Sequence, residues 1–386
     1  MTAVLGYVGT SHSMAFVTQK TRPALAHRQA PGNGMITAEL VEKRYIDDQA
    51  KAAQPAIARL ARQALQQDPT TVKAVAALGF QAQERGNVPG ARRLFAYADR
   101  LSRRHILTRL WAIEDAVARN DVPSVLRQYD VALRTSKKTP DILFPPLANA
   151  ISDATVRDGA VATLARKPIW APAFVAYVAA SGNDPKAVAD LLRRINHLGV
   201  TVTPEATAVV INRLIGSGSI AAAWQYYAAM RPNADRGRSR DPQFTANLDH
   251  PSLFDWVTAN ESGMSTSIQR GTKGGVFDFA VSSGNGGMLL QQLQLLLPGT
   301  YRLTGHSSGI EQPDSALPYW VLSCPGRREL GRVIIPSSRR NNGTFTGQFV
   351  VPAGCSPQTL ALVARPSYQI SGVSGQINQV QLVPLQ

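Results

Sequence analysis

The sequence predicts a two-domain chain, an all-α helical solenoid followed by an all-β antiparallel sandwich. Three observations predict it. Segments between residues 38 and 139 echo one another every 34 residues: Ala64, Ala98 and Ala132 share one phase, Phe95 and Tyr129 a second, Gly86 and Asn120 a third. A fixed period of roughly 20 to 50 residues marks stacked repeats. Beyond residue 243 the hydrophobic period changes to two. The charge also changes there: residues 1–240 carry 32 Lys+Arg against 18 Asp+Glu, whereas residues 241–386 carry 9 against 8. The divisions that follow are an N-terminal tail at 1–30, a helical domain at 31–232, a linker at 233–242 and a sandwich at 243–386.

Each helix has its own signals. After Pro31-Gly32-Asn33-Gly34 apolar residues recur at helical spacing, predicting helices over 35–49 and 54–67, the second ended by Asp68-Pro69. A helix over 71–84 turns at Gly86-Asn87 and returns over 89–101. The next pair runs over 106–118, turns at Asn120-Asp121 and returns over 123–134. One such hairpin cannot bury its apolar face, so neighbours must stack. Small residues such as Ala91 and Ala98 let the two helices approach, and Phe95 reaches the next hairpin.

Within residues 72–105, Leu78-Gly79, Gly86, Ala91, Phe95 and Ala98 resemble the tetratricopeptide repeat. Val75 and Ala82 stand where that family has aromatics, and Arg103 replaces its closing proline. Residues 106–139 fit more loosely, and residues 38–71 keep Ala64 and Pro69. The resemblance implies a scaffold that presents a surface to a partner.

From Pro140 the period loosens, with helices expected over 146–165, 171–181, 185–197, 204–216 and 219–230. In the last, Trp224 and Tyr227 read as core. Residues 231–243 are polar and basic, with Arg231, Arg236, Arg238 and Arg240, and read as connecting chain. Then Phe277, Phe279 and Val281 alternate with their neighbours, Leu293, Leu295 and Leu297 precede Pro298-Gly299, and Phe345, Phe349 and Val351 alternate again. Short strands bounded by Pro/Gly turns predict an antiparallel sandwich. Phe244 with Trp256, the run Leu297 to Leu303 and the closing Gly375 to Leu382 resemble jelly-roll carbohydrate-binding modules of the galactose-binding type. That resemblance implies a fold, and sugar binding does not follow from fold.

The two cysteines, Cys324 and Cys355, both lie in the β-rich part beside Pro/Gly turns. One disulfide in an oxidising compartment is the expected reading, and two buried thiols the alternative. Residues 1–19 carry no Asp, Glu, Lys or Arg and are diluted by Gly, Ser and Thr. They read either as a tail or as a weak or truncated membrane anchor flanked by Lys20 and Arg22.

The basic first part attracts acidic partners. Arg92, Arg93, Arg103 and Arg104 are the candidate ligand-binding cations, with Lys137-Lys138 in the same setting. On helix ends such cations also satisfy the helix dipole with no ligand. On the sandwich, strand parity turns Trp320 and Tyr301 inward, and Trp256 sits in an entry segment, Phe254-Asp255-Trp256, that would plug the sandwich, leaving Tyr319 and Tyr368 as candidate exposed sugar-stacking aromatics. No catalytic or metal-ligating pattern emerges from the six histidines, no phosphate loop is present, and neither Asp255 with Glu261 nor Glu311 with Asp314 has the spacing of an acid pair. No cofactor is implied. The expectation is a non-catalytic envelope scaffold that binds a protein partner or an acidic polymer such as polysaccharide. A carbohydrate-recognition protein is the alternative and an enzyme a remote third. Nucleic acid is disfavoured because no base-reading motif accompanies the basic residues.

Overall fold

A computed structural model describes residues 2–47, 55–246, 248–271 and 274–385, with their side chains described from residue 9 onward except at position 327. The chain forms two compact units, Met1–Ala171 and Pro172–Gln386. Fourteen helices precede two five-stranded antiparallel sheets among the described residues.

The first unit opens with α1 (Thr2–Thr18) and α2 (Pro23–Gln29), where only a tail or an anchor was expected. Pro23 starts α2, and Ala15, Ala26, Ala30 and Ile36 form a small buried cluster. No helix among the described residues is long and apolar enough to cross a membrane. Then come α3 (Gly34–Asp47), α4 (Pro55–Gln67), α5 (Val72–Glu84), α6 (Val88–Leu101), α7 (Ile106–Ala118) and α8 (Val122–Thr135). The expected limits at 49 and 54 lie outside the described residues.

Helices α5 and α6 recur as α7 and α8 with every boundary displaced by 34 residues. The turns recur too. Gly86 and Asn120 both take positive φ, 74° and 54°, and the next amides, of Asn87 and Asp121, donate back to the carbonyls of Ala82 and Ala116. Glycine and asparagine suit this left-handed helix-ending position. Asn87 and Asp121 then cap the returning helices, accepting from the amides of Gly90 and Ser124. Ala91 and Ala98 are fully buried, and Phe95 stacks on Trp111 of the next hairpin with ring centres 4.1 Å apart. Phe80 and Tyr45 extend this aromatic column. Gly79 is required beneath it, because a Cβ there would lie 2.8 Å from the Phe95 ring.

The single helix expected over 146–165 is two, α9 (Thr139–Ala150) and α10 (Ala154–Leu164), with Asp153 capping the second. A capping carboxylate is a start signal, and here it interrupts the apolar run.

The second unit contains α11 (Ala171–Ser181) from Pro172 onward, α12 (Pro185–His197), α13 (Pro204–Gly216) and α14 (Ile220–Met230), then the sandwich. One sheet has the order β1 (Val257–Thr258), β4 (Gly287–Gln294), β9 (Gln358–Ala364), β6 (Tyr319–Ser323), β7 (Glu329–Ile334). The other has the order β2 (Met264–Gly271), β3 (Gly274–Val281), β10 (Val373–Pro384), β5 (Gly299–Ser308), β8 (Thr344–Val351). Phe277, Phe279, Val281, Phe345, Phe349 and Val351 all face the core, as their alternation predicts. Trp256 is the expected plug and lies 5.7 Å from Trp320.

Strand β4 departs from expectation. Leu293 is only partly buried and Leu297 is exposed, while Gln292 and Gln294 are fully buried. The glutamines face inward because they bond Arg240. The segment 233–242 does connect α14 to the sandwich, but Arg240 within it is only 7% exposed. Cys324 and Cys355 form a disulfide with a sequence separation of 31. Disulfides persist in oxidising compartments, which points to an extracytoplasmic location.

Candidate functional site: a basic helical surface

The charged residues of the first unit divide into two populations. One is compensated. Lys73 on α5 bridges Glu39 at 2.7 Å and Glu42 at 2.5 Å on α3, and His105 bonds Glu42 at 2.7 Å and Thr108 at 2.8 Å. Burial pushes the Glu42 carboxyl up, but bonds from His105 and Lys73 outweigh it and leave the group below its ordinary range. Burial pulls Lys73 down, and Glu39 and Glu42 outweigh it, leaving the amine above its ordinary value. Arg109, buried, donates to Gln128 and to the Arg103 carbonyl and pairs with Asp99. Arg92 donates to Asp115 at 3.0 Å, and Arg119 contacts both Asp115 and Asp121. Arg92, Asp99, Arg109, Asp115 and Arg119 line a groove of about 300 Å³ between α6, α7 and α8, and its arginines are matched by carboxylates.

This network has a pH consequence. A carboxyl held low in the fold adds stability that is present above its unfolded value and lost as pH falls through the folded one. Glu42→Gln is expected to cost about 2 kcal/mol near neutral pH, the range of hydrogen bonds to charged groups. The gap between variant and parent should narrow as the pH drops below the ordinary carboxylate value of 4.5. Denaturant midpoints at a series of pH values check this.

The second population is exposed. Arg59 on α4, Arg93 on α6 and Arg127 on α8 follow one another at 34-residue intervals. So do the pairs Arg100 and Arg134, Arg103 and Lys137, and Arg104 and Lys138. All of these side chains are exposed. Ala64, Ala98 and Ala132 hold equal phase and are buried. Arg59, Arg93 and Arg127 therefore share one face of successive returning helices, while Arg103, Arg104, Lys137 and Lys138 follow the C-terminal ends of α6 and α8.

Arg134 is paired with Asp130, Arg127 donates to the Ser124 hydroxyl, and Arg100 lies over the Tyr97 ring at 5.8 Å. Arg59, Arg93, Arg103, Arg104, Lys137 and Lys138 have no carboxylate partner among the described residues. Rows of like charge without counter-charge raise a local positive potential that attracts anions.

The candidate residues thus separate. Arg93, Arg103 and Arg104 stand in the uncompensated rows, whereas Arg92 is engaged by Asp115. Arg59, Arg127 and the Arg100/Arg134 pair were not singled out from the sequence. The signal was there, in basic residues recurring at the same interval as the alanines.

On the sandwich the two candidate tyrosines differ. Tyr319 is 9% exposed, not open, because Arg332 and Arg365 lie over its ring at 4.7 and 5.2 Å. Tyr368 is 91% exposed on the loop between β9 and β10. Glu311 and Asp314 are surface partners of Arg339 and Arg340. Asp255 is buried: its carboxylate accepts from Tyr227, Ser252 and Arg231.

No family model and no curated protein matches the chain. Solved structures do. The xylan-binding module CBM22-1 of Paenibacillus barcinonensis Xyn10C shares 9% identity at a TM-score of 0.27, over 40% of this chain and 98% of that one. A carbohydrate-binding module of Cellvibrio mixtus lichenase 5A shares 12% at 0.22, over 34% and 98%. A complex of accessory secretory proteins 1, 2 and 3 from Streptococcus pneumoniae shares 10% at 0.22, over 31% and 86%. At these scores and identities the likenesses assign neither family nor ligand.

Proposed function

We propose that the protein is a non-catalytic scaffold of the bacterial cell envelope that docks an acidic partner along the exposed face of α4, α6 and α8. The observation that carries this reading is the recurrence of uncompensated cations at the 34-residue interval of the hairpins. A solvated helix needs no such register, because scattered cations serve solubility equally well. A partner with regularly spaced negative charge, such as an anionic polysaccharide or an acidic protein segment, gains from every row at once. The hairpin period supports a tetratricopeptide-like scaffold, and the disulfide supports a compartment such as the periplasm.

The test is affinity of the full chain for a polyuronate and for poly-glutamate at low salt. Arg93→Glu with Arg127→Glu should weaken both at least about tenfold, since each lost contact becomes a repulsion. Unchanged affinity for both would remove the reading. The sandwich supports a second reading, carbohydrate recognition, through the exposed ring of Tyr368. Retention of a neutral glycan that Tyr368→Ala abolishes would favour that reading.

A further inference from the structure

The second unit holds a cleft of about 490 Å³ lined by α14, the segment 231–242, β2 and β10. It is distinct from the cation rows and does not depend on them. Its lining includes Arg231, Asp235, Arg238, Asp255, Arg270 and Gln381.

The floor is fixed. Asp255 accepts from the Tyr227 hydroxyl at 3.0 Å, from the Ser252 amide at 3.1 Å and from the Ser252 hydroxyl at 2.7 Å, with Arg231 at 3.5 Å. A carboxylate has about four acceptor sites, and four donors occupy them. Asp241, also in the lining, is occupied by the Thr245 amide and hydroxyl and the Ala246 amide. Asp255 has no free capacity to serve as a base, and Asp241 keeps at most one acceptor site.

The donors, by contrast, are in excess. Arg270 uses only its Nε, on the Ala246 carbonyl at 3.1 Å, and its terminal N–H groups have no partner among the described residues. Arg231 lies over the Tyr227 ring at 5.4 Å and touches Asp255 with one nitrogen only. Each guanidinium has five N–H donors in a planar fork that matches a carboxylate. Asp235, half-exposed, accepts from the Gly237 amide and Arg238 and keeps lone pairs for further donors.

This combination selects a ligand class. A compact dense anion such as phosphate meets three lining carboxylates as well as the arginines. A polyhydroxylated monocarboxylate places its one charge on the guanidinium forks and donates hydroxyls to Asp235. The volume suits one or two sugar rings, within the range of small-molecule sites. We propose that this cleft binds a uronic acid unit, as a free sugar acid or a short oligouronate, through Arg231 and Arg270.

The test titrates the full-length, disulfide-intact protein with digalacturonate, with neutral galactobiose and with inorganic phosphate by calorimetry. Saturable digalacturonate binding, at least about tenfold tighter than either comparator, is expected, because hydrogen bonds to charged groups are the stronger kind. Arg270→Gln should weaken it by a similar factor, with Arg270→Lys recovering part, while Arg302→Gln on β5 leaves it unchanged. The Arg270 side chain is exposed, so this variant keeps the fold, and circular dichroism verifies that. No saturable digalacturonate binding, equal affinity for galactobiose or phosphate, or an unaffected Arg270→Gln variant would each overturn the assignment. None of these results bears on polymer docking by the helical rows.

Discussion

Arg240→Ala should destabilise the second unit by about 3–5 kcal/mol, in the range for breaking a buried charged network. Nε of Arg240 donates to the Phe254 carbonyl at 2.8 Å, and its terminal nitrogens reach the Leu293 carbonyl, the Arg238 carbonyl and Gln294 Oε1. Its own amide and carbonyl exchange bonds with the Gln292 side chain. The guanidinium also lies over Trp224 of α14 and over Phe254. One side chain thus ties a helix to a strand within this unit. Burial draws the group down to about 10, still well above neutral pH, so the buried group stays charged. Truncation leaves carbonyls that folding has removed from water without donors, at about 1–3 kcal/mol each. Arg240→Lys should recover only part, because an ammonium cannot span the carbonyls as a planar fork does. Urea denaturation followed by tryptophan fluorescence reads the effect. A change below about 1 kcal/mol, the size typical of an ordinary substitution, would contradict it.

The second large effect is on the disulfide. Replacing Cys324 and Cys355 with serine should cost about 3–4 kcal/mol on the chain-entropy account for a loop of this length. The bridge joins the end of β6 to the segment leading into β9, neighbouring strands of one sheet. Its loss should therefore lower the denaturation midpoint of the sandwich. Probes in α5–α8 should report little change, since those helices belong to the other compact unit. Equal midpoints for the oxidised and serine forms would show that the bridge is dispensable.

Local signals were legible where they decided the outcome. Alternation fixed the inward faces of β3 and β8. The 34-residue phase of Gly86 with Asn120, and of Phe95 with Tyr129, located two hairpins to within about a residue, close to the precision of helix boundaries themselves. Arg240 was not legible. A basic, Pro- and Asn-containing stretch has the composition of a linker, and what buries Arg240 is a pair of glutamines some fifty residues further along the chain. The covering of Tyr319 escapes the sequence for a similar reason. Parity places Tyr319 on the outer face, but Arg332 of β7 and Arg365, just past the end of β9, cover that face. Helices α1 and α2 lacked the charged face that marks an amphipathic helix. The cation rows were readable throughout, because they share the period of the buried alanines and need only be counted at the same interval.

If these rows act together on one polyanion, the salt dependence of binding shows it most directly. Each phosphate-like or carboxylate contact made by an exposed cation contributes about one to the slope of log affinity against log salt. For the full chain with a polyuronate too long for the cleft, the neutralising pair Arg93→Gln and Arg127→Gln should reduce the magnitude of that slope by about two. An unchanged slope, with affinity intact, would show that the recurring cations are solvent-facing charge and that the acidic partner binds elsewhere.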